Sequence, residues 1–423
     1  MIQERTAMKE NTMENNLMHK ALMPEAWEAA LSAVERNGGA PGPDGMRTGA
    51  LRTHLAMHGE VIRRRLLEGS YQPAAARRKE IAKPSGGTRS LSIPNVQDRF
   101  VQQLLRAALQ PEFEPRFSES SHGFRPRRSA HDAVKAAQGY AREGYTHVVD
   151  MDITKFFDRV NHDILMHKIG QVIRDKSVLR LIGKFLRAGV VMPDGLAVSA
   201  EEGTPQGGPL SPLLANIYLD ALDKELEKRG LRFARYADDC NIYVGSAAAA
   251  QRVLASLTGW LARHLRLEVN SSKSGTGRPW ERKFLGFIIT ANLLIGIAPA
   301  SLAKFKDQVR EKWNARQSLT EKRTSRPVAQ LRGRMVGILS ARGRTPTHLS
   351  KRKMDPAPRP QMVLAAVAQE RGTSGSPQKA GHECPLCGIW TQQRGRMGDG
   401  PKPGAAQRTE QPENQQRRNH HAI

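Results

Sequence analysis

The chain has 423 residues, with 66 Lys+Arg against 41 Asp+Glu for a formal net charge of +25. That length allows two or three domains with cores of their own and excludes a small stapled scaffold. Three cysteines, Cys240, Cys384 and Cys387, exclude a disulfide framework and fit a reducing cytoplasm, whereas so large a basic surplus points to a polyanionic partner, nucleic acid first.

The N-terminus from Met1 to Lys20 is polar, and no stretch approaches the ~18 apolar residues of a membrane span. A soluble chain with no membrane contact is expected. From Pro24 to Asn37, Ala26, Ala30, Ala33 and Val34 recur at helical spacing until Gly38-Gly39 stops them. A turn cluster, Pro41-Gly42-Pro43-Asp44-Gly45, follows. Segments 51–69 and 95–110 again read as helices and flank a hairpin: Arg78–Lys83, then Ser85-Gly86-Gly87-Thr88, then Arg89–Ile93. Residues 129–143 read as a helix. Val148 to Ile153 reads as a strand, Asn161–Val172 and Ser177–Ala188 as helices. Ser211-Pro212 offers an N-cap and an N1 proline for a helix to about Arg229. Two short β-rich runs, Phe233–Tyr236 and Asn241–Val244, meet across Asp238-Asp239 as a hairpin. Helix 247–264, a strand near Leu267–Asn270 and the apolar run Phe284–Thr290 complete a mixed α/β region without internal repeats.

Adjacent carboxylates at a hairpin tip repel each other unless a cation neutralises them. A bare Asp-Asp pair is most often a solvated turn, so Tyr236-Ala237-Asp238-Asp239 gains meaning only from a third acid nearby. That acid lies in His147-Val148-Val149-Asp150-Met151-Asp152-Ile153, where Asp150 and Asp152 share a strand face and spacing does not choose between them. Phosphoryl transfer needs little more than metal ions that steady the attacking and leaving oxygens, and carboxylates hold such metals. Gly203-Thr204-Pro205-Gln206-Gly207-Gly208-Pro209 is a tight turn leading into a helix, where backbone can approach a nucleotide. Lys83 and Arg89 bracket the glycine hairpin, either as clamps on triphosphate oxygens or as ordinary surface charge.

Taken together and in order, these blocks resemble the reverse transcriptases encoded by bacterial group II introns. Ala40-Pro41-Gly42-Pro43-Asp44-Gly45 resembles the N-terminal extension motif of that family. Arg89-Ser90-Leu91-Ser92-Ile93-Pro94 with Gln97-Asp98-Arg99 resembles its first fingers block, and Ser121–His131 (SHGFRPRRSAH) its second. Asp152-Ile153-Thr154-Lys155-Phe156-Phe157-Asp158 is similar to the strand carrying the first catalytic aspartate, which selects Asp152. Phe157 then falls where the family excludes ribonucleotides. Thr204–Asn216 is similar to the nucleotide-pocket block, with Gln206 beside the incoming base and sugar. Lys273, in Asn270-Ser271-Ser272-Lys273, fits a later palm lysine facing the triphosphate, and Phe284-Leu285-Gly286-Phe287 fits the primer grip.

The resemblance implies a right-hand polymerase fold, α/β in its fingers and palm with an antiparallel catalytic sheet, then an incomplete helical thumb and a disordered C-terminal tail. It implies an RNA-directed DNA polymerase that uses two Mg²⁺ ions held by Asp152, Asp238 and Asp239, with Lys83, Arg89, Phe157, Gln206 and Lys273 around the deoxynucleotide. The implied partners are group II intron RNA as template, a DNA primer or target, and dNTPs. Retrohoming and splicing assistance are the family's roles, in the bacterial cytoplasm. The domains expected are an N-terminal extension over 1–59, fingers and palm over 60–297, a partial thumb and start of the maturase domain over 298–332, and an aberrant tail over 333–423.

Where the family carries a pattern like Arg-Gly-Trp and a nearby Tyr-Phe, this chain reads Arg332-Gly333-Arg334-Met335-Val336-Gly337-Ile338-Leu339-Ser340. Shifting the frame by one base turns Met335–Ser340, with suitable codons, into Trp-Trp-Gly-Tyr-Phe-Arg. Met354–Arg359 and Met362–Ala368 yield further maturase-like residues at the same offset. Residues 314–389 contain no Phe, Tyr or Trp, so such a segment can hardly bury a core. We read this as a frameshift near 331–334, which leaves Cys384 and Cys387 without meaning as a zinc pair. Other readings fit the same residues: an inactive remnant, an RNA-folding splicing cofactor, or a retron, diversity-generating or defence-system enzyme.

Overall fold

The computed structural model describes residues 17–82 and 87–312. Lys83, the side chain of Arg89, and everything beyond 312, including the proposed frameshift and Cys384 and Cys387, lie outside the described residues. Two short helices, α1 (Leu17–Ala21) and α2 (Pro24–Asn37), open the fold, followed by α3 (Leu51–Leu67). Pro24 fits the first turn of α2, where its missing N–H costs nothing, and Gly38 at φ 59° ends the helix. Strands β1 (Ala76–Ala82) and β2 (Thr88–Ile93) form the expected hairpin, then α4 (Val96–Phe113) packs on α1 and α2.

Next come α5 (Ala130–Arg142), β3 (His147–Met151), α6 (His162–Val172), α7 (Lys176–Arg187), β4 (Val190–Val191) and β5 (Ala197–Val198). Ser129 and Asp132 make a reciprocal capping box for α5. Asp175 caps α7 and also accepts the Met18 N–H at 2.9 Å, tying the N-terminal helices to the middle of the chain. Then follow α8 (Ser211–Lys228), β6 (Arg232–Tyr236), β7 (Asp239–Val244), α9 (Ala247–Leu265), β8 (Gly275–Gly277), β9 (Phe287–Ile289), β10 (Ile295–Ile297) and α10 (Pro299–Lys312).

Among the described residues there are two four-stranded sheets and one ribbon. The first sheet runs β2-β1-β4-β5, and the second β6-β7-β3-β8, with every pairing in the second antiparallel. The mixed α/β class with an antiparallel central sheet is therefore as expected. No helix among the described residues is long and apolar enough to cross a membrane.

The second sheet is clothed differently on its two faces. Val149, Met151, Phe233, Cys240 and Ile242 join the large core shared with α4, α8, α9 and the N-terminal helices. Val148, Ala234 and Tyr243 face the other way, onto Ala133, Val134 and Ala137 of α5 and Phe287 and Ile289 of β9. Several local readings are corrected. Ser211 is already helical, and its hydroxyl donates to the Pro205 carbonyl at 2.7 Å rather than capping. Leu267–Asn270 supplies only an isolated bridge, Ile153 to Val269, because Asn270 turns to donate its N–H to the Asp152 carbonyl. The fourth strand of the sheet is instead the glycine-rich β8, paired with β3. The apolar run Phe284–Thr290, given no element from sequence, contains the strand Phe287–Ile289, with Leu285 at φ 52° before it.

Candidate active site

The register of the central sheet sorts its side chains along one face. Val148 opposes Tyr243 and Asp150 opposes Asn241, and continuing the register one step past its last pair, Met151 with Cys240, would set Asp152 opposite Asp239. Directly opposed residues and alternate residues share a face, so a single face grades from apolar, where α5 covers it, to acidic at the open end. Asp150 and Asp152 thus both belong to this end, with Asp150 one pairing step farther back along the face. Burial, with the neighbouring Asp152, pushes the Asp150 carboxyl up to about 6 against the pull of Arg282. Asp152 lies past the strand, its N–H donating to the Ser274 hydroxyl at 2.9 Å and its carbonyl accepting from Asn270.

Tyr236 pairs with Asp239, leaving Ala237 and Asp238 as the turn, with Ala237 at φ 59°. Burial first, then the carboxylates of Asp238, Asp152 and Asp150, raise Asp239 to about 6; burial and Asp152 raise Asp238 as well. Asp150, Asp238 and Asp239 are thus each raised in part by a neighbouring carboxylate, which is the condition a divalent cation relieves. Lys273 reaches Asp152 at 3.8 Å with 62% of its side chain exposed, a loose pair free to turn toward another anion. Among the described residues no group of three His, Cys, Asp or Glu forms a ready metal cage. Mg²⁺ does not require one, since it is commonly held by one or two carboxylates plus water and substrate phosphates.

What holds the tip in place was not read from the sequence. Arg235 points to the core face of β6 and is fully buried. Its Nε donates to Asp223 Oδ1 at 2.7 Å, and Nη2 donates to Asp223 Oδ2 and to the Ser121 hydroxyl at 2.7 Å. Nη1 donates to Asn216 Oδ1 at 3.1 Å and to the Ala237 carbonyl at 2.8 Å. Asn216 in turn donates to the Gly123 carbonyl at 2.8 Å, while the His122 N–H donates to the Arg235 carbonyl. The block Ser121–Gly123 is thereby laid along β6 against the turn. A Cβ on Gly123 would stand 2.2 Å from the Ala237 nitrogen, so only glycine fits. The available signal is an arginine within the otherwise apolar run Phe233–Tyr236.

Phe157 and Gln206 come together in a second region, a cleft also lined by Leu91, Phe124, Arg106 and Gly208. The Gln206 carbonyl accepts the Ser92 N–H at 2.7 Å, so the glycine turn docks on β2, and Gly207 at φ 127° leaves no room for a Cβ beside the Ser92 carbonyl. The Phe157 carbonyl accepts from Thr204, and its ring packs edge-on against Phe156. The Arg99 guanidinium, donating to the carbonyls of Gly38 and Ala40, holds the N-terminal turn at the far wall. Of the expected site residues, the fold gathers Asp152, Asp238, Asp239 and Lys273 at the sheet and Phe157 and Gln206 in the cleft.

Residues 81–289 match the family model described as reverse transcriptase (RNA-dependent DNA polymerase). The chain is 32% identical over 300 residues to Protein YkfC of Escherichia coli (strain K12), covering 61% of this chain and 78% of that protein. It is 42% identical over 173 residues to the group II intron-encoded protein LtrA of Lactococcus lactis subsp. cremoris, covering 40% of this chain but only 28% of LtrA. Among solved structures, telomerase from Candida albicans with a fragment of telomeric RNA aligns at a TM-score of 0.43 and 14% identity, covering 65% of this chain and 57% of that one.

Proposed function

The chain belongs to the reverse transcriptase (RNA-dependent DNA polymerase) family, and from that premise we propose that it adds deoxynucleotides to a DNA primer on an RNA template as the polymerase of a group II intron. The observation that carries the chemistry is the graded sheet face, which brings Asp152, Asp238 and Asp239 to one open end beside Lys273. The intron assignment is supported by the 42% identity to LtrA and by the SHGFRP block that braces the turn. Intron RNA is the proposed template, and retrohoming and splicing assistance in the bacterial cytoplasm are the proposed roles.

Two Mg²⁺ ions held by the three aspartates would supply the positive charge that steadies attacking and leaving oxygens. Lys273, only loosely paired, would turn from Asp152 to the triphosphate. Lys83 and Arg89, on either side of the glycine hairpin, would reach the same phosphates from the fingers. Gln206 would border the incoming base and sugar, and Phe157 would close the space a 2′-hydroxyl needs. In domain terms the extension spans 1–59, fingers and palm 60–297, and a partial thumb 298–332. Residue 60 lies inside α3, so extension and fingers share one helix.

The test is extension of a DNA primer on an RNA template by the purified full chain. Extension with Mg²⁺ and none with a chelator is the expected result, and a folded chain that never extends sinks the polymerase reading in favour of an inactive remnant. In the same assay the parent should refuse ribonucleotides and Phe157→Ala should incorporate them; refusal by both would remove Phe157 from that role.

We also propose that residues 333–423 (an aberrant tail) are the out-of-frame remainder of a maturase domain. Sequencing the gene across codons 331–334 should show an open alternative frame encoding Trp-Trp-Gly-Tyr-Phe-Arg in place of Met335–Ser340. A frame closed by stop codons would dispose of the idea.

A further inference from the structure

Phe124 stands apart from the other exposed large apolar side chains. Met23, Met57, Leu67, Leu196, Val198, Trp280 and Leu294 are the scattered exposures any surface carries. Phe124, with 39% of its surface exposed, has φ at 59°, and it is the one aromatic among the described non-glycine residues with positive φ. A bulky residue in the left-handed region costs about 1 kcal/mol or more and persists only where its surroundings impose it.

Those surroundings are explicit. On one side the Gly123 carbonyl is held by Asn216, and its α-carbon is pressed against the Ala237 nitrogen. On the other, the buried Arg125 donates to Glu114 at 2.7 Å and to the carbonyls of Ser118 and Ser121. Between these two anchors the chain turns left-handed and sends the ring of Phe124 into the cleft that Phe157, Gln206 and Gly208 line. Its centroid lies 6.4 Å from that of Tyr236, the residue that leads into the acidic turn. Phe124 is therefore the side chain that joins the cleft to the catalytic hairpin.

We propose that Phe124 is a stacking platform for the first unpaired template base, a positioning role resting on the polymerase reading above. Within a duplex every base already has neighbours on both faces. Only at the growing end does the template strand present an open face that an aromatic ring can cover. Arg106, lining the same cleft, supplies positive charge for the adjoining phosphate. Base stacking on an aromatic ring is sequence-tolerant, as a general copying enzyme requires.

The experiment is a double-mutant cycle between side chain and base. The full chain is titrated with an RNA template annealed to a DNA primer, the first unpaired template position being either a normal nucleotide or an abasic ribose. For the parent, removing the base should weaken binding by about five- to a hundredfold, as expected of one stacked base. Phe124→Leu should lose a similar factor on the normal template and nothing further on the abasic one, whereas Phe124→Tyr should behave as the parent. Melting temperatures of both variants should match the parent, separating stacking from folding. Multiplicative losses, or Phe124→Leu binding as tightly as the parent, overturn the proposal, and so does a parent that does not bind the duplex. A parent that shows the coupling yet does not extend the primer refutes the polymerase reading and leaves the platform standing.

Discussion

Asp238→Ala and Asp239→Asn are expected to lower primer extension by about a thousandfold or more, since a lost metal ligand removes several kcal/mol of charge stabilisation at 1.4 kcal/mol per decade. The same substitutions should leave the melting temperature unchanged or raise it. Burial and the surrounding carboxylates push Asp239 up to about 6, above the usual carboxylate range, so at neutral pH its ionised form opposes folding. Removing that charge relieves the opposition. Activity and stability should therefore move in opposite directions, measured as initial extension rate against thermal unfolding of the same preparations. A variant extending within about tenfold of the parent would show that these acids do not hold the reacting metals. A variant that fails to extend because it has unfolded would contradict the electrostatic account of the turn.

Much of the site was legible because its chemistry is local. Asp238-Asp239 lies between two short β runs, and the Gly203–Pro209 turn precedes a helix, so residue type and spacing place both. The ambiguity between Asp150 and Asp152 was genuine: alternation puts them on one face, and only the third dimension shows Asp150 behind, beside Arg282, with Asp152 beyond the strand end. The two carboxylate-bearing segments are joined by the non-local pairing of β3 with β7, and the strand on the other edge of β3 is not legible locally either. β8 is a run of Gly275, Thr276 and Gly277, with little β propensity, and it becomes a strand because β3 offers an unpaired edge. Leu267–Asn270 has the better composition and fails, since Asn270 is spent on the turn that fixes the Asp152 carbonyl.

The same distinction explains the missed arginine. By composition Arg235 reads as a surface charge at a strand end, and its side-chain partners Asp223, Asn216 and Ser121 lie 12 to 114 residues away along the chain. Such a network has no sequence period. It is inferred only once β6, α8 and the Ser121–Gly123 segment are known to meet, and it is why that segment and the acidic turn are one structural unit.

Breaking that unit is expected to give the largest stability effect in the molecule. Arg235→Met leaves Asp223, itself fully buried, as an unpaired charge, a change that costs about 3–5 kcal/mol. Asp223→Leu strands the arginine and should cost about as much. The double variant Arg235→Met with Asp223→Leu replaces ions with apolar side chains, which is often neutral or stabilising, so it should recover most of the loss in thermal or denaturant unfolding. Extension should not recover with it. The Ala237 carbonyl, accepting from Arg235 Nη1 at 2.8 Å, would still lack its donor, and the residue it steadies sits at positive φ next to Asp238. A stable double variant with parental activity would confine Arg235 to the core, whereas a stable, inactive one would make it the anchor that aims the catalytic turn.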